Sequence, residues 1–149
     1  MKNLISASIM MLFSINLLFS GSSSKPVRIL VITGGHNYKV EQFNDMLESL
    51  GPSITWKVAE LPGAYDMFLP ENRSKYDVLV FYHMWQKITD EQAKVFAECI
   101  KSGKPVVTLH HSICAYDDWP EYWNIIGGKY FHKETTFKGK VIPAMFIYS

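Results

Sequence analysis

Residues 104–112 have the sequence Lys104-Pro105-Val106-Val107-Thr108-Leu109-His110-His111-Ser112, directly after Gly103. A short apolar run with β-branched residues is typical of a buried strand, and a glycine ahead of it is suited to ending a helix. The strand would deliver two adjacent histidines to its carboxyl end. Because open α/β sheets place their binding crevices at this end, the stretch predicts both the fold class and the position of a site.

Three earlier segments, 27–33, 54–59 and 76–83, also have strand patterns. The first and third are nearly continuous apolar runs, as expected of parallel strands that are covered on both faces. Apolar residues at helical spacing predict helices over 40–50 and from Thr89 to Gly103, the second opening with a capping box of Thr89 and Gln92. The alternation predicts an α/β, flavodoxin-like, doubly wound parallel sheet in the strand order 2-1-3-4, with helices on both faces.

The first 22 residues have the pattern of a secretory signal peptide. Lys2 is the only charge ahead of Lys25, an apolar stretch covers residues 4–19, and small residues follow at 20–22. An uncleaved membrane anchor is the alternative, although the apolar run is at the short edge of the ~20 residues that span a bilayer. We therefore predict a signal peptide over 1–22 and one domain over 23–149, exported to the periplasm or outside the cell, without stable membrane anchoring after cleavage.

The composition predicts an ordinary globular domain, because 48% of the residues are apolar and 19% are charged. Removal of the leader would take away Lys2 and leave 14 basic and 14 acidic residues. Without a basic patch, nucleic acid is not an expected partner. Cys99 and Cys114 are too few for a disulfide-rich scaffold, and we expect two separate thiols, although an exported protein could pair them. The sequence predicts no oligomeric state.

Three histidines, His36, His83 and His110, each follow a predicted strand. Because parallel strands end at the same edge of a sheet, we expect the three side chains to converge, as for general acid/base catalysis. A divalent metal is the less favoured alternative, since no H-x-x-x-H or H-x-H pair fixes two ligands locally, and no other cofactor is implied. His111 should point away from His110 if the strand continues, which favours a structural role, and His132 is expected in an exposed loop.

The pair Gly34-Gly35 follows the first predicted strand. Two glycines permit a tight turn or the close approach of a ligand to the backbone, so Gly35 is a candidate for substrate binding. The spacing G-x-G-x-x-G is absent, and a dinucleotide site is not supported.

Residues 116–123 combine aromatic rings with carboxylates. This composition fits a carbohydrate-binding surface, where rings stack on the sugar and acids accept hydrogen bonds from its hydroxyls, and it fits a helix that packs on a core equally well. For sugar binding, the candidates are Trp119, Tyr122 and Asp118, together with Tyr38 beside His36.

Six short motifs follow one another along the chain: Gly34-Gly35-His36, Tyr76-Asp77-Val78-Leu79-Val80, Glu91-Gln92, Leu109-His110, Trp119-Pro120-x-Tyr122 and Ile126-Gly127-Gly128. Over about residues 27–132 they resemble the trehalose-utilisation (ThuA-like) family, whose fold is similar to the sheet of the class I glutamine amidotransferases. The resemblance implies carbohydrate metabolism, on trehalose-type or oxidised sugars. Members of this family usually continue well beyond the Gly-Gly segment, so the resemblance implies that this chain holds the amino-terminal part of the domain.

The same resemblance aligns residues 105–110 with the strand that leads to the nucleophile elbow of the amidotransferases, and His110 stands at the position of the reactive cysteine. An imidazole cannot replace that thiolate, and Cys114 lies four residues further on, so cysteine-dependent glutaminase activity is not expected.

The hypothesis for function is acid/base chemistry on a small-molecule carbohydrate, with His36 and His110 transferring protons. The sugar would lie against Tyr38, Trp119 and Tyr122. Two alternatives remain open: a non-catalytic sugar-binding module, in which the aromatic residues matter and the histidines do not, and an inactive fragment.

Overall fold

Four parallel strands form the central sheet of this computed structural model, which describes residues 25–148; the predicted leader over 1–22 lies outside the described residues. The strands are β1 (Val27–Gly34), β2 (Ile54–Glu60), β3 (Val78–His83) and β4 (Val106–Thr108). They lie side by side in the order β2-β1-β3-β4, and every neighbouring pair is parallel. The predicted strand order and the flavodoxin-like α/β fold are confirmed.

Helices cover both faces of this sheet, as predicted. They are α1 (Val40–Glu48), α2 (Asp90–Lys101) and α3 (Pro120–Ile126). On one face, Leu47 of α1 packs against Val31 of β1. On the other face, Phe96 of α2 packs against Phe81 of β3, with α3 in the same core cluster. Within residues 25–148, no helix is long and apolar enough to cross a membrane.

The predicted start of α2 is confirmed in detail. The hydroxyl of Thr89 accepts a hydrogen bond from the backbone N–H of Gln92, and the Gln92 side chain accepts one from the backbone N–H of Thr89. Cys99 of this helix and Cys114 are both free and buried, in agreement with the prediction of separate thiols.

The remaining segments are short. The connection between β2 and β3 contains two 3-10 turns, Gly63–Phe68 and Pro70–Lys75, and the first of them buries Tyr65 and Phe68 in the core. After α3, β5 (Gly128–Tyr130) pairs with β8 (Phe146–Tyr148), and β6 (Thr135–Phe137) pairs with β7 (Lys140–Ile142), both antiparallel.

The strand predicted within residues 104–112 is present and two histidines follow its carboxyl end, but it is shorter and less buried than predicted. Strand β4 comprises only Val106–Thr108, and the chain then enters a 3-10 turn over His110–Cys114. In the described part of the sheet, β4 pairs with β3 alone and forms an edge, so that Val107 remains 45% exposed. An apolar run by itself does not distinguish an edge strand from a central one, because that depends on the number of neighbouring strands.

Candidate functional site

A depression lies at the carboxyl edge of the sheet, on the face covered by α1. His36 enters it from the loop after β1, Tyr82 from β3, and His110 and His111 from the turn after β4. The ring centres of His36 and Tyr82 are 4.8 Å apart, those of His36 and His111 are 5.5 Å apart, and those of His110 and His111 are 3.6 Å apart. Its volume is about 420 Å³, and Tyr38 and residues of α1 complete the lining. The fold thus brings three histidines from two separate segments, the loop after β1 and the turn after β4, into one cavity.

The one hydrogen bond of the His36 ring identifies the tautomer of the neutral imidazole. Its Nδ1 lies 3.1 Å from the carbonyl oxygen of Asn37, and a carbonyl can only accept, so Nδ1 carries the hydrogen. In the neutral ring, Nε2 then presents a lone pair. This Nε2 is shielded from solvent and has no hydrogen-bond partner among residues 25–148. Nε2 is therefore the nitrogen of His36 that could accept a proton.

His110 has a strained backbone. Its φ angle is +50°, in the left-handed region that is uncommon for residues other than glycine and that asparagine, aspartate and histidine adopt more often than the rest. The side chain is exposed and stacks at 6.3 Å from the ring of Tyr82. Strain of this kind, held by the surrounding fold, is common at functional sites.

His111 belongs to the same cavity, and the expectation that it points away from His110 is wrong. Strand alternation applies only within a strand, and β4 ends at Thr108. The positive φ of His110 turns the chain, so that both rings face the depression. Burial, together with the nearby imidazoles of His110, His36 and His132, lowers the pKa of His111 below its usual value.

His83 does not line this depression, contrary to the expected convergence of three strand-end histidines. Successive residues of a strand face opposite sides, and His83 points to the α2 face, whereas Tyr82 points to the α1 face. The imidazole is fully buried between Phe81, Tyr116 and Tyr122. In this position it has no surface that a substrate could contact. Burial, followed by the effect of His36, lowers its pKa to about 3.

The requirement for glycine at position 35 follows from packing inside the protein. Its φ angle is +81°, and a Cβ atom added there would lie 1.6 Å from the carbonyl oxygen of Met84. The loop after β1 thus rests directly on the chain that leaves β3. This close approach of two backbones requires a glycine and sets the position of the neighbouring His36.

A second cavity of about 470 Å³ lies beside the α2 face of the sheet. Its lining includes Trp85, Lys87, Tyr116, Asp118 and Trp119, and it shares no lining residue with the histidine depression. Trp119 and Asp118, two of the residues predicted to hold a sugar, therefore lie apart from the histidines predicted to act on it, whereas Tyr38 lies with those histidines.

The two aromatic candidates of that region differ in exposure. Trp119 is partly buried and packs edge-on against Phe96 and Tyr116, with the rest of its ring available to the second cavity. Tyr122 is fully buried, and its hydroxyl donates to the carbonyl oxygen of Ser112 over 2.8 Å. Tyr122 thus has no exposed ring face on which a sugar could stack. The alternative interpretation of residues 116–123, a helix that packs on the core, therefore describes Tyr122 correctly.

Ser112 fixes the turn that carries His110 and His111. Its fully buried hydroxyl donates to the carbonyl oxygen of Phe81 over 2.8 Å and accepts from the backbone N–H of His83 over 3.3 Å. The turn is thereby attached to the end of β3 on one side. The Tyr122 hydroxyl holds the same residue from the other side.

No three His, Cys, Asp or Glu side chains within residues 25–148 are arranged so that they could hold a metal ion. The three imidazoles of the depression are close enough to share a ligand, but a divalent metal has no preformed set of donors there. The chemistry that these side chains can perform by themselves is proton transfer.

A family model described as ThuA, trehalose utilisation, matches residues 28–145. The chain belongs to the ThuA family. Among solved structures, a ThuA-like protein from Parabacteroides merdae is similar, with a TM-score of 0.57 and 20% identity over 80% of this chain. The match spans 48% of that protein, about half its length, and at this identity it shows a shared fold. A comparison with curated proteins found no match.

The ThuA family match confirms the resemblance found in the sequence motifs. The description of that family names trehalose utilisation. In this ThuA domain, the turn after β4 carries His110, whose φ angle is positive. The thiol next along the chain, Cys114, is buried, and burial raises its pKa.

The sequence motifs of the ThuA family did not reveal two residues of the depression, Tyr82 and His111. Strand alternation could have found Tyr82, because it faces the side opposite to His83. Nothing local indicates His111, since its direction depends on the turn at His110 and on the attachment of Ser112.

Replacement of Ser112 by alanine should lower the free energy of unfolding by about 1–3 kcal/mol, because a buried backbone N–H loses its acceptor. It should also move the NMR signals of the His110 and His111 rings, since their turn loses its attachment to β3. Ser49→Ala is the matched control, because the Ser49 hydroxyl also donates to a backbone carbonyl, but in an exposed position. Unchanged histidine signals in a destabilised Ser112→Ala protein would refute the positioning role.

Proposed function

We propose that this ThuA-family protein performs acid/base chemistry on a sugar bound in the histidine depression. The single observation that carries the proposal is the pairing of His36, whose Nε2 has no partner, with His110, held in a strained conformation in the same cavity. His36 would take a proton from the substrate, and His110 would supply one. Tyr38, which lines the cavity 6.1 Å from the His36 ring, offers a face for the sugar.

The family supports a carbohydrate as the partner, and the wider proposal is a trehalose-type or oxidised sugar. Proton transfer by two imidazoles requires no cofactor. The leader pattern of residues 1–22 supports action outside the cytoplasm, in the periplasm or beyond it.

Replacement of His110 by alanine should reduce turnover by about 100- to 10,000-fold, the usual contribution of a general acid or base. The assay would follow trehalose, glucose and their keto and acid derivatives by product chromatography. His132→Gln provides the control, because it removes an exposed histidine outside the depression. Undiminished turnover by His110→Ala of every sugar that the intact protein converts would refute the proposal.

A non-catalytic sugar-binding module is the second candidate, and the cavity beside Trp119 favours it. That cavity offers a partly exposed indole and the carboxylate of Asp118, the groups that stack on a sugar and accept its hydroxyl hydrogen bonds. Because Trp119 also packs in the core, Asp118→Asn accompanies Trp119→Ala as a variant of an exposed residue. Loss of sugar binding in both variants, with no turnover by the intact protein, would favour the binding module.

A further inference from the structure

The histidine depression has an unusual balance of charged groups. Its lining contains Lys39 and three imidazoles, and no Asp or Glu is among its lining residues within 25–148. The cavity beside Trp119 has the opposite character, with three carboxylates and one ammonium group: Asp90, Asp117, Asp118 and Lys87. The two cavities therefore favour ligands of different charge.

His111 adds to the lining of the depression a ring nitrogen that has no hydrogen-bond partner among residues 25–148. This nitrogen, Nδ1, is shielded from solvent. Burial and the neighbouring imidazoles lower the pKa of His111, which favours the neutral ring. An anion placed beside it would favour the protonated ring, which donates from both nitrogens, whereas the neutral ring donates from one.

The groups that surround His111 present no negative charge to oppose an anion. His36 and Tyr38 come from the loop after β1, Tyr82 from β3, and His110 from the same turn. His132, beyond β5, is close enough to lower the pKa of His111. The acidic residue in the first turn of α1 is not part of the lining.

We propose that the depression binds a sugar that bears an anionic group, a carboxylate or a phosphate, with Lys39 and His111 as the contacts of that group. The proposal rests on the proposed function, in which this depression holds a sugar, and adds the charge of the substrate. His36 remains the proton acceptor, and Lys39 and His111, which both line the cavity, are the residues that would contact the anionic group.

Isothermal titration calorimetry of the full chain at pH 7 would test this proposal with glucose, glucuronate and glucose 6-phosphate. Glucuronate differs from glucose only at the terminal carbon, and the phosphate ester distinguishes the second kind of anion. At least one anionic sugar should bind about tenfold more tightly than glucose, as expected for a charge-assisted hydrogen bond. Titration in two buffers of different protonation enthalpy should show uptake of up to about one proton with the anion and none with glucose.

Three variants test which residues contact the anionic group and which residue takes up the proton. Lys39→Met should weaken binding of the anionic sugar about fivefold and leave glucose unaffected, as for an exposed ion pair. His111→Gln should abolish the proton uptake. Lys87→Met is the matched control, because it removes an exposed lysine from the other cavity and should change neither quantity.

The outcomes separate this proposal from the proposed function. Equal affinity for glucose and both anions, with movement of the His110 NMR signals, would overturn the anionic specificity and leave the sugar site standing. Anion binding that Lys39→Met does not affect and Asp118→Asn does would overturn it as well, by placing the ligand in the other cavity. If none of the three sugars binds or moves a histidine signal, both proposals fail.

Discussion

The free energy of unfolding should fall by about 2 kcal/mol between pH 6.5 and pH 4.5 because of the buried imidazole of His83 alone. Its native pKa is about 3, and an unfolded histidine titrates near 6.5. Between these values the unfolded chain binds a proton that the native chain does not. The contribution of neutral His83 is therefore complete above pH 6.5 and is lost as the pH falls towards 3. Urea unfolding at several pH values would measure this slope.

Two variants assign that slope to one residue. His83→Phe places an apolar ring among Phe81, Tyr116 and Tyr122 and should flatten the pH dependence. His132→Gln removes an exposed imidazole and should keep the slope of the parent protein. In the parent protein, the NMR signals of the His83 ring should remain those of the neutral form at pH 5. A protonated His83 ring at pH 5 in the folded protein would contradict this prediction.

Gly35→Ala should destabilise the domain by about 2–5 kcal/mol. A positive φ costs an alanine about 1–2 kcal/mol, and displacement of packed backbone adds about 1–3 kcal/mol. Here the added Cβ would meet the carbonyl oxygen of Met84 at 1.6 Å, and backbone cannot yield as a side-chain tip does. Chemical denaturation would give the loss of stability.

The variant Gly51→Ala distinguishes the conformational cost of a positive φ from the cost of the contact with Met84. Gly51 has nearly the same φ, +83°, and nothing lies within 4 Å of an added Cβ. This variant should therefore lose only the conformational part, about 1–2 kcal/mol. Equal losses in the two variants would show that the contact between Gly35 and Met84 has no energetic role.

Local sequence patterns predicted most of the architecture. The apolar runs of 27–33 and 76–83 form neighbouring central strands, and Thr89 and Gln92 form the capping box at the start of α2. These features depend on residues that are adjacent or one helical turn apart. The strand order also follows from simple rules, since right-handed crossovers between parallel strands leave few arrangements.

Residues that act together at the edge of the sheet were predicted less well. His36 and His110 do share a cavity, but His83 occupies the core on the other side of the sheet. Trp119 lines a second cavity, away from these histidines. A residue at the end of a strand must lie at that edge of the sheet. Which face of the sheet its side chain occupies changes from each residue to the next, so a shift of one position moves the side chain to the other face.

The sequence by itself determined the fold class, the strand order, the helix start at Thr89 and the edge of the sheet where polar residues collect, because each follows from short-range periodicity and chain connectivity. Only the tertiary structure decided which polar groups meet. The left-handed turn at His110 brings His111 into the depression, and the hydroxyl of Ser112 holds that turn against β3. Both depend on contacts between segments about 30 residues apart, whose register no local pattern encodes.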